Sequence, residues 1–466
     1  MLRRWHPVTL AGVLGVKKRE IIAVYGGGGK TTLLNALARE IAGAGGSVIL
    51  TTTTKIYPPQ GIPVIMNPKP VEALQQLKQL LPYHPVVSLG SALLPEGKLV
   101  GVDPALLEEL FRRGIASHYL VEADGAKGRP IKGYAPYEPV ISPAAGLLIP
   151  VLGLDALGAR VDEQVVHRPE LFSLQSGAEM GEFLDISIFN HCLEFMIKRG
   201  KKLAPRARVM PVLNKMDLLH EGMPFRTVAT ALQEGIKIKG IERLIFSAAR
   251  ETAAVKFVLP CTGGPSVSCI VLAAGSAERM GRDKLLLPLA EKTILEHVVD
   301  NALQAAAVDE VILVTRPQSK KTVVELLRGK KVRVVSNPCH RKGMASSLQA
   351  GLSTVNPAAQ AVIFALGDQP FVTGAVYDAL ISSYHKRWNL LTAPLYQGKR
   401  GNPVLLDRRT WHLVMELQGD TGGRELFSRV GEEEIALVEM GTPGIVQDID
   451  TLEDYERFTR VAEEKQ

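Results

Sequence analysis

The sequence predicts an α/β protein of two domains, each built around a parallel sheet. Three observations support this prediction. Two apolar runs rich in β-forming residues, 20–25 and 268–274, each end at a glycine loop. Strand-like runs alternate with helical ones after both loops, which is typical of a parallel sheet covered on both faces. Between them the stretch 259–266 is rich in Pro, Gly and Ser, as interdomain connections are, so we predict domains at 1–262 and 263–466.

Composition favours a cytoplasmic protein that binds small anions. Of the 466 residues, 46% are hydrophobic and 22% charged, which is ordinary for a globular protein. The net charge is +7, from 55 Lys and Arg against 48 Asp and Glu. The basic residues form no dense block in the sequence, so we expect no nucleic-acid partner. The four cysteines form no C-x-x-C pair, which favours a reducing compartment. No apolar run approaches the about 20 residues that span a bilayer, so we expect no membrane partner.

The strands of both domains are predicted from short apolar runs, and helices from the spacing of apolar residues. In the first domain a helical run covers Leu33–Ile41, and Val71–Leu81 has apolar residues at helical spacing. The predicted strands of the first domain are Glu20–Tyr25, Ser47–Thr52, His84–Leu89, His118–Glu122, Gly146–Val151 and Arg208–Leu213; those of the second are Val267–Ala273, Glu310–Val314, Lys331–Val335, Ala361–Leu366 and Leu390–Pro394.

The first glycine loop has the pattern of a phosphate-binding loop. The string Y-G-G-G-G-K-T-T starts at Tyr25, between a predicted strand and a predicted helix. Glycine N–H groups and the helix N-terminus bind phosphates, a lysine reaches the β- and γ-oxygens, and a hydroxyl binds Mg²⁺. The string resembles the variant loop K-G-G-x-G-K-T-T, but it has tyrosine in place of the first lysine. Because that lysine is missing, we do not expect nucleotide hydrolysis that depends on a dimer. The alternative is a glycine-rich turn without a ligand. The predicted nucleotide-binding residues are Gly26, Gly27, Gly28, Gly29, Lys30, Thr31 and Thr32.

Later strings in the first domain extend the nucleotide hypothesis. Asn214, Lys215 and Asp217 form N-K-x-D after an apolar run, the pattern with which GTPases bind guanine, and Phe246–Ala249 follows where such proteins have a second guanine-contacting loop. The alternative is a turn capped by its own polar side chains. Asp124 ends a predicted strand, where a carboxylate can hold Mg²⁺ together with Thr31. The run T-T-T-T-K at 51–55 either contacts the same nucleotide or is ordinary strand sequence.

Together these strings resemble one family. G-G-G-G-K-T-T, T-T-T-T-K-I-Y-P-P, V-E-A-D-G-A-K-G-R-P-I-K and N-K-M-D are similar to those of the accessory (YqeC-like) family associated with selenium-dependent molybdenum hydroxylases, over roughly residues 5–255. The resemblance implies a P-loop-type parallel sheet that binds GTP or ATP. It indicates a pathway more securely than a reaction.

The second glycine loop carries cations suited to a polyphosphate. The string C-I-V-L-A-A-G-S-A-E-R-M-G-R-D-K runs from Cys269 to Lys284, a strand followed by glycines, Arg279 and the lysine. Glycine N–H groups approach an anion closely, and the two cations neutralise it. The alternative is a surface turn with ordinary basic residues. The predicted nucleotide-binding residues are Leu272, Ala273, Ala274, Gly275, Arg279 and Lys284.

Acidic residues at two positions predict a metal site in the second domain. Asp368 follows the apolar strand 361–366, and Asp450 lies in the string Q-D-I-D-T-L-E-D. Carboxylates at a strand end can hold Mg²⁺ across the phosphates of a nucleotide. The alternative for both is a helix or turn cap. Three further loops, 337–348, 398–404 and 418–424, combine cations, hydroxyls and glycines suited to a phosphorylated acceptor.

The order of motifs in the second domain resembles the molybdenum cofactor cytidylyltransferases (MobA-like) over nearly all of 267–460. The strings are L-A-A-G-x-x-x-R-M-G-x-x-K-L-L-L-P, G-M-x-S-S-L, G-D-Q-P, R-G-N-P-V, G-D-x-G-x-R and D-I-D-T. Related guanylyltransferases have L-A-G-G and D-K-G-L, so L-A-A-G and D-K-L-L favour CTP. Leu452 stands where the family usually has proline, a change at a helix start.

The resemblance implies a Rossmann-like three-layer α/β/α nucleotidyltransferase that transfers CMP from CTP to molybdopterin, with Mg²⁺ and with Arg279, Lys284 and Asp368 as catalytic residues. A molybdenum hydroxylase apoenzyme is a further expected partner. Two alternatives stay open: a nucleotidyltransferase for a sugar or alcohol phosphate, and a non-catalytic nucleotide switch or cofactor carrier.

Overall fold

A computed structural model describes residues 9–66, 69–219, 225–235, 241–251, 254–261, 266–275 and 283–463. The chain divides into two compact units, Met1–Gly263 and Gly264–Gln466. Among the described residues no helix is long and apolar enough to cross a membrane.

The N-terminal unit alternates strands and helices. Its helices are α1 (Leu10–Val13), α2 (Lys30–Gly43), α3 (Pro70–Leu80), α4 (Pro104–Arg112), α5 (Pro169–Ser176), α6 (Ile186–Leu203) and α7 (Phe225–Gly235). Its strands are β1 (Glu20–Gly26), β2 (Val48–Thr52), β3 (Lys55–Ile56), β4 (Val64–Met66), β5 (Val86–Gly90), β6 (Ala92–Leu93), β7 (Leu99–Val100), β8 (His118–Glu122), β9 (Ile131–Lys132), β10 (Leu147–Gly153), β11 (Val166–His167), β12 (Arg208–Val209), β13 (Val212–Asn214), β14 (Arg243–Ser247) and β15 (Val255–Pro260).

The main sheet of this unit has the order β15-β14-β13-β10-β1-β8-β2-β5-β4, with β12 beside β10. Its neighbours pair in parallel except β15, which is antiparallel to β14. All seven residues of β1 are buried, because the strand lies at the middle of a sheet covered on both faces. The carboxyl ends of β1, β8, β10 and β13 therefore meet at one edge of the sheet.

All six strands predicted in this domain are present, with one division. The run predicted as one strand over 208–213 is split into β12 and β13 at Pro211, since proline has no N–H for the ladder. The short strands β14 and β15 were not predicted.

The C-terminal unit also alternates strands and helices. Its helices are α8 (Ile294–Gln304), α9 (Lys320–Leu326), α10 (Met344–Leu352), α11 (Gly374–Arg387), α12 (Trp411–Glu416) and α13 (Leu452–Glu463). Its strands are β16 (Val267–Ala273), β17 (Pro288–Leu289), β18 (Lys292–Thr293), β19 (Glu310–Thr315), β20 (Val332–Ser336), β21 (Ala361–Leu366), β22 (Leu391–Tyr396), β23 (Lys399–Arg400), β24 (Val404–Asp407) and β25 (Ile435–Glu439).

The second sheet has the order β20-β19-β16-β21-β24-β22-β23, with β25 beside β22. The first four strands are parallel, as predicted, and confirm the α/β class. One strand departs from the predicted parallel arrangement: β24, which was not predicted, is antiparallel to both β21 and β22. The connection from β22 to β24 is too short for the crossover that a parallel pair requires. The carboxyl ends of β16, β21 and β22 consequently share one edge.

Candidate functional sites

The glycine loop between β1 and α2 is packed against its own domain. Gly26, Gly28 and Gly29 have φ of +111°, +75° and +102°, in the region that side chains disfavour. A Cβ on Gly28 would lie 2.2 Å from the Gly153 nitrogen, and one on Gly27 would lie 2.5 Å from the Pro130 oxygen. Conformation and space both require glycine at Gly28, whereas at Gly27 the lack of space alone requires it.

Two N–H groups of this loop bond to main-chain oxygens of the protein. Gly27 N donates to Val151 O and Gly28 N donates to Arg129 O, each at 3.0 Å. A phosphate at this loop must displace these bonds or use the N–H groups at the first turn of α2, where the helix dipole favours an anion.

Lys30 is turned into the protein, toward two acidic side chains. Its Nζ donates to Gly26 O at 2.6 Å and lies 3.3 Å from Asp124 and 3.7 Å from Glu122. Burial lowers the pKa of Lys30, but the charges of Asp124 and Glu122 outweigh burial and raise it above its ordinary value. The lysine therefore stays an ammonium ion at neutral pH.

Asp124 is fully buried and held from three sides. Both of its carboxylate oxygens lie 3.0 Å from Gly26 N, and Lys132 Nζ lies 3.3 Å from Oδ2. Lys132 also bonds to Glu138 at 2.9 Å and to Gly125 O at 2.7 Å. Asp124 thus fixes the start of the glycine loop between two buried lysines, Lys30 and Lys132.

Glu122, at the end of β8, contacts the other predicted metal-binding group of this domain. Its Oε2 accepts a hydrogen bond of 2.8 Å from the Thr31 hydroxyl. Burial raises the pKa of Glu122 although Lys30 opposes that shift. Glu122 and Lys132 were not among the predicted site residues. Both lie in the string V-E-A-D-G-A-K-G-R-P-I-K, whose other charged residues, Asp124, Lys127 and Arg129, left no local signal to single them out.

The N-K-x-D string lies beside the loop. Asn214 Nδ2 donates to Gly28 O at 2.8 Å, and its Oδ1 accepts from Ser247 Oγ at 2.8 Å and Ala249 N at 3.1 Å. The structure therefore brings the glycine loop, Asn214 and the predicted second loop together.

The second residue of that string, Lys215, has a left-handed backbone conformation. Lys215 has φ +61° and pairs with Asp155 at 2.7 Å, while Asp217 is exposed in the following 3₁₀ turn. An exposed carboxylate after a buried asparagine is compatible with contact to a base.

The threonine run at 51–54 is used by the fold. Thr51, Thr52 and Thr53 each donate a 2.8 Å hydrogen bond from the side chain to a main-chain oxygen, of Leu89, Glu122 and Val140 respectively. The bonds of Thr51 and Thr52 tie the end of β2 to β5 and β8, which favours the ordinary strand interpretation for these two residues.

In the C-terminal domain one lysine joins the two predicted acidic positions. Lys284 Nζ lies 2.7 Å from Asp368 Oδ2 and 2.7 Å from Asp450 Oδ1. Burial lowers the pKa of Lys284, but the charge of Asp368 and the hydrogen bonds to both carboxylates raise it overall. Ile449 N bonds to Asp368 O at 3.1 Å, which holds the segment of Asp450 against the end of β21.

A third carboxylate, Asp448, stands beside this pair. Burial raises its pKa, and the charges of Asp450 and Asp368 raise it further. The cap of α13 is formed by Thr451, whose hydroxyl accepts from Asp454 N at 3.1 Å while Asp454 accepts from Thr451 N. Asp450 contacts Lys284, so the capping role falls to Thr451.

The donor set fits a magnesium ion that is shared with a substrate. Asp368 Oδ1 is buried and accepts no hydrogen bond from a described residue, so one oxygen has its lone pairs available. Within the described ranges, no group of three or more His, Cys, Asp or Glu side chains is arranged to hold a metal. Mg²⁺ usually takes one or two carboxylates and completes its shell with water and substrate phosphates, which is what this arrangement allows.

The second glycine loop begins at the same sheet edge. Leu272 and Ala273 end β16, and Gly367 N donates to Leu272 O at 3.0 Å, which places Asp368 next to the loop. Ala274 is buried and Gly275 is exposed. Arg279 lies outside the described residues, so its role stays a prediction.

Of the three predicted acceptor loops, 337–348 and 418–424 contact each other. Asn337 Nδ2 donates to Ser346 and Ser347 at 2.9 and 3.0 Å, and Met344 N donates to Asp420 Oδ1 at 3.1 Å. Asn402 N donates to the oxygen of Ile445, just before the acidic segment. Several of their polar groups are therefore engaged in holding the loops together.

Two protein families match separate parts of this chain. The profile of the YqeC protein family matches residues 22–170, and that of the MobA-like NTP transferase domain matches residues 269–435. YqeC of Escherichia coli K12, described as uncharacterized, is 33% identical over 188 residues, which cover 39% of this chain and 70% of that protein.

The second half has its own relatives. The molybdenum cofactor cytidylyltransferase of Escherichia coli K12 is 28% identical over 204 residues, covering 42% of this chain and 99% of that protein. A crystal structure of a homologue of a Mycobacterium tuberculosis protein, from Mycobacterium sp. strain JC1, is 27% identical with a TM-score of 0.39, covering 43% of this chain and 98% of that one. This chain therefore belongs to the YqeC family through its N-terminal domain, and its C-terminal domain is a MobA-like nucleotidyltransferase that acts on nucleoside triphosphates.

Proposed function

We propose that the C-terminal domain transfers CMP from CTP to molybdopterin and releases pyrophosphate. The observation that carries the proposal is the position of Lys284, 2.7 Å from both Asp368 and Asp450 at the carboxyl edge of the sheet. The similarity to a cytidylyltransferase over 99% of its length supports the choice of reaction. The L-A-A-G loop favours CTP among the nucleotides.

The reaction needs no protein nucleophile. A phosphate oxygen of the acceptor attacks the α-phosphorus of CTP, a new P–O bond forms, and the bond to the bridging oxygen breaks in line as pyrophosphate leaves. The protein positions both substrates and supplies fixed positive charge. Lys284 and Arg279 are the proposed cations, and Lys284 is an ammonium ion because Asp368 and Asp450 raise its pKa despite burial.

Asp368 and Asp450 would hold Mg²⁺, with Asp368 Oδ1 as the available oxygen. Bound there, the ion would neutralise the charge of the phosphates. Lys284 would then give up a carboxylate, or use its third N–H, to reach a phosphate oxygen. The lysine can therefore act as a counter-ion to the carboxylates at one stage and to the nucleotide at another.

For the N-terminal domain we propose binding of GTP or ATP at the loop of Lys30 and Thr31, with Mg²⁺ held by Thr31 and a carboxylate at the end of β8. Asp124 is the carboxylate that the sequence suggested. The domain would assist maturation of a molybdenum hydroxylase or delivery of its cofactor, in the cytoplasm. Contacts between the loop, Asn214 and the Ser247–Ala249 segment support nucleotide binding.

The first experiment offers each of the four ribonucleoside triphosphates to the purified chain with Mg²⁺ and molybdenum-loaded molybdopterin. We expect pyrophosphate release with CTP alone. A parallel series offers a sugar or alcohol phosphate instead of molybdopterin. Pyrophosphate release in that series, but not with molybdopterin, would show that the proposed acceptor is wrong. No release with any nucleotide, in protein shown to be folded, would favour a cofactor carrier.

A further inference from the structure

Two carboxylates at the end of β8, Glu122 and Asp124, contact the phosphate loop in different ways. We propose that Glu122, together with the Thr31 hydroxyl, holds the divalent cation of the N-terminal nucleotide site, and that Asp124 is a positioning residue for the loop. The proposal rests on the proposed nucleotide binding by this domain.

Asp124 is poorly placed to exchange its partners for a metal. Its side chain is fully buried, and both oxygens lie 3.0 Å from Gly26 N. Lys30 lies 3.3 Å from one oxygen and Lys132 lies 3.3 Å from the other. A cation at Asp124 would stand beside two ammonium ions and would detach the carboxylate from the loop that binds the phosphates.

Glu122 has the complementary position. Its Oε2 accepts from Thr31 Oγ1 at 2.8 Å, and Thr31 is the exposed second residue of α2. In a phosphate loop this hydroxyl is the group that meets Mg²⁺. A carboxylate in hydrogen-bond contact with that hydroxyl lies within reach of the same ion, either directly or through a water molecule.

Glu122 and Asp124 also differ in the positive charge that each would keep once Lys30 binds phosphate. To bind the β- and γ-phosphates, Lys30 must leave Gly26 O, Asp124 and Glu122. Asp124 then keeps Lys132 and the Gly26 N–H as partners. Of the described side chains, Lys30 is the one cation that pairs with Glu122, so this buried carboxylate loses its counter-charge. A buried charge without compensation is costly, and a divalent cation at Glu122 restores the balance.

The test measures how strongly Mg²⁺ increases nucleotide affinity in the full chain. Fluorescent GTP and ATP analogues are titrated in Mg²⁺ and in EDTA, for wild type, Glu122→Gln, Thr31→Val and Asp124→Asn. Glu20→Gln is the matched control: Glu20 is also buried and ion-paired, with Arg208 at 2.9 Å, but it begins β1 at the end away from the loop. Electron paramagnetic resonance of Mn²⁺ in the nucleotide complex reports the metal's ligands without any turnover.

We expect Glu122→Gln and Thr31→Val to keep the affinity measured in EDTA within about twofold and to lose most of a Mg²⁺-dependent gain of about tenfold or more. The Mn²⁺ spectrum should change in both. Asp124→Asn should weaken binding equally with and without metal, because the loop is displaced. Thr31→Val removes one surface hydroxyl and nearly preserves shape, so it tests the pair even if Glu122→Gln folds poorly.

Two outcomes overturn the proposal, and they are distinguishable. If Glu122→Gln keeps the full Mg²⁺ gain and the wild-type Mn²⁺ spectrum while Asp124→Asn loses them, the metal belongs to Asp124. If wild type binds neither analogue in either condition, the proposed nucleotide binding by this domain is wrong as well.

Discussion

At the residue scale, each candidate site has a lysine that contacts two carboxylates, and these carboxylates lie far from the lysine in the sequence. Lys284 contacts Asp368 and Asp450, and Lys30 contacts Asp124 and Glu122. In both cases burial opposes the charge of the lysine and the carboxylates restore it. A lysine held in this way is charged before the substrate arrives, so no protonation step precedes phosphate binding.

Substitution of the C-terminal cluster should abolish transfer without unfolding the domain. We expect Lys284→Ala and Asp368→Ala each to lower kcat for pyrophosphate release by at least about 100-fold, since charge stabilisation at the phosphates is lost. Lys292→Ala is the control, because Lys292 pairs with Asp300 in a half-exposed ion pair of the same domain. Circular dichroism checks the fold. Near-normal turnover in either variant would contradict the assignment.

At the element scale, the strand–loop–helix unit of β1 and α2 depends on glycines for two separate reasons. Gly28 has φ +75°, and its Cα faces Gly153 so closely that a Cβ would lie 2.2 Å from the Gly153 nitrogen. Gly45, just beyond the end of α2, has φ +87° but no atom within 4 Å of the position of a Cβ. The first position combines conformational strain with a steric clash, and the second has the strain alone.

This pair allows the clash to be measured. Both Gly28→Ala and Gly45→Ala should lose about 1–2 kcal/mol of unfolding free energy from the left-handed backbone. Gly28→Ala should lose more, because the loop must also move away from β10, and it should weaken nucleotide binding. Urea unfolding of the two variants checks the difference. Equal losses would mean that the loop moves freely and that its packing against Gly153 contributes nothing.

At the scale of the whole molecule, the chain consists of two compact units with separate hydrophobic cores. One core gathers on β1, β10 and α2, around Leu33, Leu37 and Ile149, and the other on β16, β21 and α11, around Val271, Ile363 and Tyr377. Each unit carries its own candidate nucleotide site. Ligand binding to the folded state stabilises the unit that binds, so the two sites can be told apart in one sample.

Calorimetry of the full chain should therefore show two thermal transitions with different ligand responses. CTP with Mg²⁺ should raise the midpoint temperature of one transition, and GTP or ATP should raise that of the other. Free ligand at a hundredfold excess over Kd adds about 2.7 kcal/mol to the unfolding free energy of the domain that binds it. For a domain of about this size, each kcal/mol raises Tm by roughly 2–4 °C. Lys284→Ala should remove the CTP response alone. A single transition raised equally by both nucleotides would contradict independent sites.

Much of this architecture was predictable because local patterns encode it. The runs at 20–25, 118–122 and 361–366 are β1, β8 and β21 within a residue or so, since an apolar run bounded by a loop has few other ways to be buried. The strands β14, β15, β24 and β25 were missed. Length does not explain the omission, since β14 has five residues, as β8 does, and β15 has six, as β21 does. The strand β25 pairs with β22 across 44 residues, from Leu391 to Ile435, which no local pattern shows.

The sequence by itself determined the two α/β domains, the two glycine loops and the lysines that follow them, because strand, glycine and helix are adjacent in the chain. Only the tertiary structure decided which carboxylate meets which cation. Lys284 reaches Asp368 and Asp450 across 84 and 166 residues, and Thr31 reaches Glu122 across 91. Such pairs form only when the sheet brings strand ends together. Each buried charge or polar group then needs an opposite charge or a hydrogen-bond partner, and this need selects which side chains pair.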